Sequence, residues 1–185
     1  MSNNKKIINY EKILAFGGSS SSSSINKQLA VYAANLVSDS TIEVIDFSEY
    51  HPPVYSTDEE KNGFPAQLLE LSEYMKNFDG YVVSLAEHNG SYTAAFKSIL
   101  DWLSRINREI FNNKPVLLLA TSPGGRGGVS VLGAASDYFP HAGASEVVTF
   151  SLPNFYDNFQ ENKIINEEIL NDLLIQIDLF FKAIN

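Results

Sequence analysis

Three loops of unusual composition carry the residues of this chain that could do chemistry. The first is a run of six serines, Ser19 to Ser24, directly before a helical pattern that starts at Ile25. Serine hydroxyls donate hydrogen bonds with little bulk, and the first turn of a helix offers unpaired backbone N–H groups and a partial positive charge. Such a loop can wrap a phosphate group without a cation. The alternative is a single serine N-cap whose neighbours lie idle in solvent.

The second loop reads AEHNGS and spans residues 86–91. Its glycine lets the backbone approach a planar ligand, and its asparagine and backbone groups can hydrogen-bond the edge of a heterocycle. Asn-Gly is also an ordinary turn signal, so that alternative stays open. Glu87 and His88 could suggest acid–base catalysis, but one carboxylate beside one histidine in sequence fixes no catalytic geometry.

The third loop, SPGGRGG, places four glycines around Arg126 directly after the apolar run KPVLLLAT. It lacks the Lys-Ser/Thr ending of a Walker phosphate loop, and it does not match the dinucleotide fingerprint expected after a first strand. A glycine-rich surface loop before a helix is the alternative interpretation. Arg126 could bind an anionic group, although an exposed arginine is usually only solvated.

Strand and helix patterns alternate between these loops. Apolar or β-branched runs predict five strands, at residues 13–16, 41–47, 80–86, 114–122 and 146–150. Helical spacing predicts five helices, at residues 25–36, 68–78, 96–106, 128–138 and 165–184. Residues 48–65 carry three prolines and no periodicity, which predicts a long loop. Strict alternation predicts a parallel sheet covered on both faces, whose ligands bind at the carboxyl ends of the strands.

The amino-acid composition argues against several classes of partner and of chemistry. A formal charge of -9 disfavours nucleic acid or an anionic membrane as a partner. Cysteine is absent, which excludes disulfides and thiol chemistry, and the three histidines have no metal-ligand spacing, so we expect no metal site. The leader MSNNKKIINYEK lacks the apolar core of a signal peptide. We therefore expect a cytoplasmic protein with one domain over residues 1–185.

In combination, the three loops resemble the NAD(P)H-dependent FMN reductase family, flavodoxin-like proteins that include quinone, chromate and azo-dye reductases. The segment GSSSSSSINKQLA, from Gly18 to Ala30, is similar to the family motif Gly-Ser-x-Arg-x-x-Ser-x-Asn-x-x-Leu-Ala. AEHNGS and FKSILDWLS resemble the middle motif, and Ser-Pro-Gly-Gly-x-Gly-Gly is intact from Ser122 to Gly128. The resemblance spans about residues 13–182 in family order.

The resemblance implies a flavodoxin-like three-layer sandwich with a five-stranded parallel sheet of order 2-1-3-4-5. It implies an oxidoreductase that passes hydride from NAD(P)H to bound FMN and then to a quinone, a free flavin or a similar acceptor. Because FMN carries the hydride chemistry, no catalytic side chain is expected. It also implies a homodimer or homotetramer in which Trp102 or Arg126 faces a neighbouring subunit. A tryptophan within a helix lies more often in the core or at a subunit interface than against a cofactor.

The resemblance also implies which residues hold the cofactor. Those around the FMN phosphate would be Ser19, Ser21, Ser24 and Asn26. Those along the isoalloxazine ring would be Glu87, His88, Asn89 and Gly90. Those at its other edge would be Ser122, Pro123, Gly124 and Gly125.

Three positions depart from the family pattern. Ser21 stands where the family has arginine, which removes a charge-assisted bond worth about 1.5 to 3 kcal/mol, or about one to two decades of FMN affinity. His88 stands in place of tyrosine and changes what packs against the flavin, and Ala86 in place of proline loosens the turn.

Two other functions remain open at this point. The acidic charge slightly favours a flavodoxin-like electron carrier without a nicotinamide site, since carriers often dock electrostatically. Ser21 is compatible with a family member that has lost FMN and serves only as a binding or structural module. The middle and third motifs favour the reductase.

Overall fold

The structure is a computed structural model that describes residues 10–185. Residues 1–9 lie outside the described residues. They form most of the leader MSNNKKIINYEK, on which the expectation about a signal peptide depends. Five parallel strands form the central sheet in the order β2-β1-β3-β4-β5. They are β1 (Glu11–Gly18), β2 (Ser40–Val44), β3 (Gly80–Leu85), β4 (Lys114–Thr121) and β5 (Ala144–Leu152). The predicted strand order is confirmed.

Burial explains which segments become central strands. β3 is buried along its whole length, and β4 is buried everywhere except at Lys114, because helices cover both faces of a parallel sheet. Successive residues of β1 point to opposite faces, so Leu14 and Phe16 enter one core while Ile13 and Ala15 enter the other. β2 lies at the sheet edge and stays partly exposed.

Five longer helices cover the sheet. They are α1 (Ile25–Asn35), α2 (Ala66–Met75), α3 (Ala94–Ile106), α4 (Val129–Tyr138) and α5 (Glu167–Ile184). Buried residues of α1 and α5 belong to one core, and those of α2, α3 and α4 belong to the other. The three-layer arrangement expected from the alternation of patterns is confirmed.

The segments between these elements contain short structures that periodicity did not predict. Within residues 48–65 a helix forms at Thr57–Glu60, because Ser56 accepts a hydrogen bond from the N–H of Glu59 and carboxylates fill the first turn. Glu87–His88 pairs with Ser91–Tyr92, and Phe159–Gln160 pairs with Lys163–Ile164. Each of these pieces is too short for a period to be read from the sequence.

Trp102 fastens the loop before α2 to helix α3. Its side chain is completely buried, its Nε1–H donates to the carbonyl of Pro53 at 2.7 Å, and the ring of Tyr55 stands edge-on to it. Ser98 donates to the same carbonyl at 3.1 Å. The expectation that Trp102 faces a neighbouring subunit is therefore wrong, because its own chain covers it.

We predict that Trp102→Phe lowers the free energy of unfolding by about 2 to 4 kcal/mol, since it leaves a cavity and removes the bond to Pro53. Urea denaturation followed by circular dichroism measures this. Ser98→Ala removes only the second donor and should cost at most about 1 kcal/mol. Equal losses in the two variants would contradict the assignment of Trp102 as the anchor.

A second prediction concerns acid stability. The ammonium group of Lys27 in α1 bonds the carboxylate of Asp46, and this hydrogen bond lowers the pKa of Asp46 to about 2. A carboxylate with a lowered pKa stabilises the fold above its unfolded pKa of about 4, and that contribution disappears as the pH falls towards 2. Asp46→Asn should therefore cost about 1 kcal/mol near pH 7, after allowance for solvent screening, and progressively less below pH 4.

Urea denaturation at several pH values tests this prediction. Asp58→Asn is the control, because its ion pair with Lys61 is exposed and should contribute little at any pH. A cost for Asp46→Asn that is independent of pH would refute the prediction.

Candidate functional site

A cleft of about 260 Å³ opens at the carboxyl edge of the sheet, where β1, β3 and β4 end. All three loops singled out in the sequence reach it. Eight of the twelve predicted site residues line it: Ser19, Ser21, Ser24, Asn26, Glu87, His88, Ser122 and Pro123. The other four, Asn89, Gly90, Gly124 and Gly125, are exposed and are not part of the lining.

The serine loop leads from β1 into α1 at a close packing point. A Cβ at Gly17 would lie 2.5 Å from the backbone nitrogen of Lys27, so only glycine lets the helix start this near the strand. Ser24 is the N-cap, and its Oγ accepts from the Lys27 N–H at 3.1 Å. Within residues 10–185 the N–H groups of Ile25 and Asn26 donate to no acceptor. The first turn of α1 therefore offers two free donors.

The neighbours of Ser24 are not all idle. Ser19, Ser21 and Ser23 line the same cleft, whereas Ser20 and Ser22 do not. The Ser21 N–H donates to Ser19 Oγ at 3.2 Å, and the hydroxyls of Ser21 and Ser23 lie 3.3 Å apart. Since Ser19 and Ser24 use their oxygens as acceptors, their hydroxyl hydrogens remain able to donate to a ligand.

The buried side chain of Asn26 connects three elements that surround the cleft. It is 2% exposed, and its Oδ1 accepts from the hydroxyl of Ser84 at 2.8 Å and from the N–H of Thr121 at 3.0 Å. Its Nδ2 donates to the carbonyl of Thr121 at 3.2 Å. The side chain thus braces the ends of β3 and β4 against α1. The predicted contact of Asn26 with a phosphate stays a prediction.

The second loop is a tight hairpin. Asn89 and Gly90 have φ angles of 52° and 77°, the left-handed values that the two central residues of a type I′ turn require. The turn interpretation of Asn-Gly is therefore what the structure contains. The hairpin presents Glu87 and His88 to the cleft and holds Asn89 and Gly90 beyond it, so the role of these last two toward a ring stays a prediction.

The carboxylate of Glu87 forms hydrogen bonds with backbone groups of the protein itself. Its Oε2 accepts from the N–H groups of Ser130 at 2.9 Å and Val131 at 3.1 Å, in the first turn of α4. A negative charge at this end of a helix is stabilising. The sequence offered no signal for this contact, because Glu87 and its partners are more than forty residues apart.

The glycines of the third loop divide into two kinds. Gly127 and Gly128 have positive φ, and a Cβ at Gly127 would collide with Ser151 Oγ, so the fold itself requires glycine there. A Cβ at Gly124 would meet nothing within 4 Å, and one at Gly125 would touch only the side chain of Asn154. Packing inside the chain gives no reason for the last two glycines.

The described lining of the cleft contains no lysine or arginine. The ammonium group of Lys27 bonds Asp46, and Arg126 donates to the hydroxyl of Ser130 at 2.6 Å. Among the described residues, the lining of the cleft therefore offers no cation in place of the family arginine. In the described part of the chain no cluster of three or more His, Cys, Asp or Glu side chains could hold a metal, and no helix is long and apolar enough to cross a bilayer.

Sequence reasoning missed five lining residues: Ser23, Ile25, Ala86, Thr121 and Tyr156. Tyr156 is the most notable, because it is a large aromatic residue that is 64% exposed and lines the cleft. It follows β5, whose carboxyl end meets the same edge of the sheet as the three loops. The position of this segment after a strand of the parallel sheet could have indicated that it reaches the cleft. It was not singled out because it carries no glycine or serine cluster.

Comparisons with known proteins identify the family and several relatives of this chain. A family model described as NADPH-dependent FMN reductase matches residues 11–157. A quinone reductase of Escherichia coli is 38% identical over 77 residues, which is 41% of each chain, so the match spans about two fifths of that relative. An NAD(P)H-dependent FMN reductase of Pseudomonas aeruginosa is 32% identical over 114 residues, which cover 61% of this chain and 60% of the relative.

Two solved structures have a similar fold. The apo form of the NADH:FMN oxidoreductase EMOB has a TM-score of 0.75 and 26% identity, over 95% of this chain and 90% of that one. FerB of Paracoccus denitrificans, a flavoenzyme NAD(P)H:(acceptor) oxidoreductase, has a TM-score of 0.72 and 22% identity, over 94% of this chain and 97% of that one, and shows the fold alone. Since the family model covers well over half of its length, this chain belongs to the NADPH-dependent FMN reductase family.

Proposed function

We propose that this protein is an NAD(P)H-dependent oxidoreductase that uses FMN to pass reducing equivalents from a nicotinamide nucleotide to a quinone, a free flavin or a similar small acceptor. The observation that carries the proposal is the cleft in which all three motif loops meet at the carboxyl edge of the sheet. Binding at this edge is typical of doubly wound sheets.

The serine loop fits the phosphate of FMN. Two backbone N–H groups at the start of α1 are free, and the hydroxyls of Ser19, Ser21 and Ser24 are beside them. These donors suit an anion at the positive end of a helix. They are all neutral, so the phosphate would be held by fixed dipoles rather than by a cation.

The glycine loop and the hairpin fit the flavin ring. A Cβ at Gly124 would meet nothing within 4 Å, and one at Gly125 would touch only the side chain of Asn154. Two glycines that the packing does not require suit the close approach of a planar ring to the backbone. His88 and Pro123 offer side chains on the two walls of the cleft. When bound, FMN supplies the hydride-accepting and electron-donating chemistry.

The chain's own residues bind and orient in this proposal. No side chain needs to act as an acid or a base, and the one carboxylate in the lining, that of Glu87, is held by the backbone of α4. We further propose that residues 1–185 form one domain and that the protein assembles into a homodimer or homotetramer. Sedimentation analysis tests the assembly.

The net charge of -9 favours a second candidate, an electron carrier that docks to a redox partner. Such a carrier would bind FMN but would not accept hydride from a nicotinamide nucleotide. The two candidates therefore differ in one reaction that a single experiment can follow.

An anaerobic absorbance titration with FMN, followed by NADH or NADPH in the same cuvette, tests the proposed function. We expect FMN to bind and then to be bleached rapidly by one of the two nucleotides. Flavin that binds and stays oxidised would favour the carrier. No flavin binding below the millimolar range would overturn both candidates.

Restoring the family arginine tests the phosphate site. We expect Ser21→Arg to tighten FMN binding by about 10- to 100-fold, the value of one charge-assisted hydrogen bond, and to leave riboflavin affinity unchanged. Ser20→Arg is the matched control, because Ser20 is exposed in the same loop but does not line the cleft. Equal effects of the two variants, or an equal gain for riboflavin, would place the phosphate elsewhere.

A further inference from the structure

We infer that Glu87 is a positioning residue, whose carboxylate fixes the hairpin against α4 and thereby sets the spacing of the two walls that hold the flavin. The inference rests on the proposed function, because it assigns a task to one residue of that same cleft.

Helix α4 cannot be capped by the residue that precedes it. Its N-cap is Gly128, which has a φ of 77° and provides no side chain. A Cβ at this position would lie 2.9 Å from the Cβ of Ala120 in β4, so a serine or aspartate cap does not fit. The backbone N–H groups of the first turn therefore need an acceptor from another part of the chain.

Glu87 supplies that acceptor. Its Oε2 takes hydrogen bonds from Ser130 and Val131, the second and third residues of α4. These are the two N–H groups that a local N-cap side chain would satisfy. Glu87 also places a negative charge at the positive end of the helix, which strengthens the contact.

The contact joins the two walls of the cleft. On one side, Glu87 pairs with Tyr92 across the hairpin, and the ring of Tyr92 packs beside Phe96 at the start of α3. On the other side, Ser130 receives a hydrogen bond from Arg126 in the glycine loop, which also contributes Ser122 and Pro123 to the lining. A displacement of the Glu87 carboxylate therefore changes the position of the hairpin relative to the glycine loop.

The same contacts argue against a proton-transfer role. The Oε2 atom of Glu87 already accepts two backbone N–H bonds from the first turn of α4. The charge is thus used to hold structure, and small errors in the spacing of a binding site are costly for affinity.

Three variants of the full-length protein test the inference. Glu87→Ala removes the cap, and Glu87→Gln keeps an oxygen that can accept the same N–H bonds. Asn166→Ala is the matched control, since the Oδ1 of Asn166 caps α5 in the same way, at 3.1 and 3.2 Å from two N–H groups, and does not line the cleft. The measurements are FMN affinity by fluorescence quenching, the midpoint of urea unfolding, and turnover against pH at saturating FMN.

We expect Glu87→Ala to weaken FMN binding by about tenfold, the scale of one lost helix cap coupled to binding. Glu87→Gln should restore the affinity to within about threefold, with the shape of the pH profile unchanged. Asn166→Ala should lower the unfolding midpoint but leave FMN affinity unchanged. If Glu87→Ala does not fold, Glu87→Asp, whose carboxylate is one methylene short, takes its place with the same expectation.

Two results would overturn the inference. In the first, Glu87→Ala binds FMN as tightly as the unmodified protein although its stability falls like that of Asn166→Ala, so that the cap is structural only. In the second, Glu87→Gln binds FMN but loses turnover, so that the carboxylate takes part in the chemistry. A failure of the unmodified protein to bind any flavin would instead refute the proposed function.

Discussion

The side-chain amide of Asn26 is the interaction on which this edge of the structure depends. Its three hydrogen bonds, to Ser84 and to both backbone groups of Thr121, tie the first turn of α1 to the ends of β3 and β4. All of these groups are buried, so removal of the amide would leave several of them without a partner, at a cost of about 1 to 3 kcal/mol each. The positions of the serine loop and the glycine loop relative to each other follow from this brace.

The N-terminus of α1 contributes Ser24 to the cleft lining, and that of α4 contacts Glu87, which also lines the cleft. The unpaired N–H groups at the two N-termini are used differently. Helix α1 has no acidic residue in its first turn, and its Ser24 cap leaves the N–H groups of Ile25 and Asn26 free. Helix α4 is capped by the carboxylate of Glu87. In the proposed function, an anionic ligand would meet free donors at α1 and an occupied, negatively charged position at α4. The α1 end is therefore the one that suits the phosphate.

Much of this architecture could be predicted from the sequence, because it depends on local patterns. Apolar runs such as KPVLLLAT and the regular spacing of α3 and α5 located the strands and helices, and their alternation gave the parallel sheet with its three loops at one edge. The contacts of Glu87 with α4 could not be predicted, since they join residues that are 43 and 44 positions apart and depend on the start of α4. Tyr156 was missed for a related reason. It follows β5 directly in sequence, but its position at the cleft depends on the path of the chain after β5, which no local pattern predicts.

In the proposed phosphate site, Ser21 stands where the motif that the serine loop resembles has arginine, so recognition there would depend on geometry rather than on charge. An arginine can follow a displaced phosphate with its long side chain, whereas backbone N–H groups and short serine hydroxyls act only where the backbone holds them. The close packing of Gly17 on Lys27 and the buried amide of Asn26 fix that backbone from two sides. A phosphate site made of neutral donors therefore depends more on a rigid strand-to-helix junction than a site that contains a cation. In this chain Gly17 and Asn26, which lie beneath the serine loop, provide that rigidity.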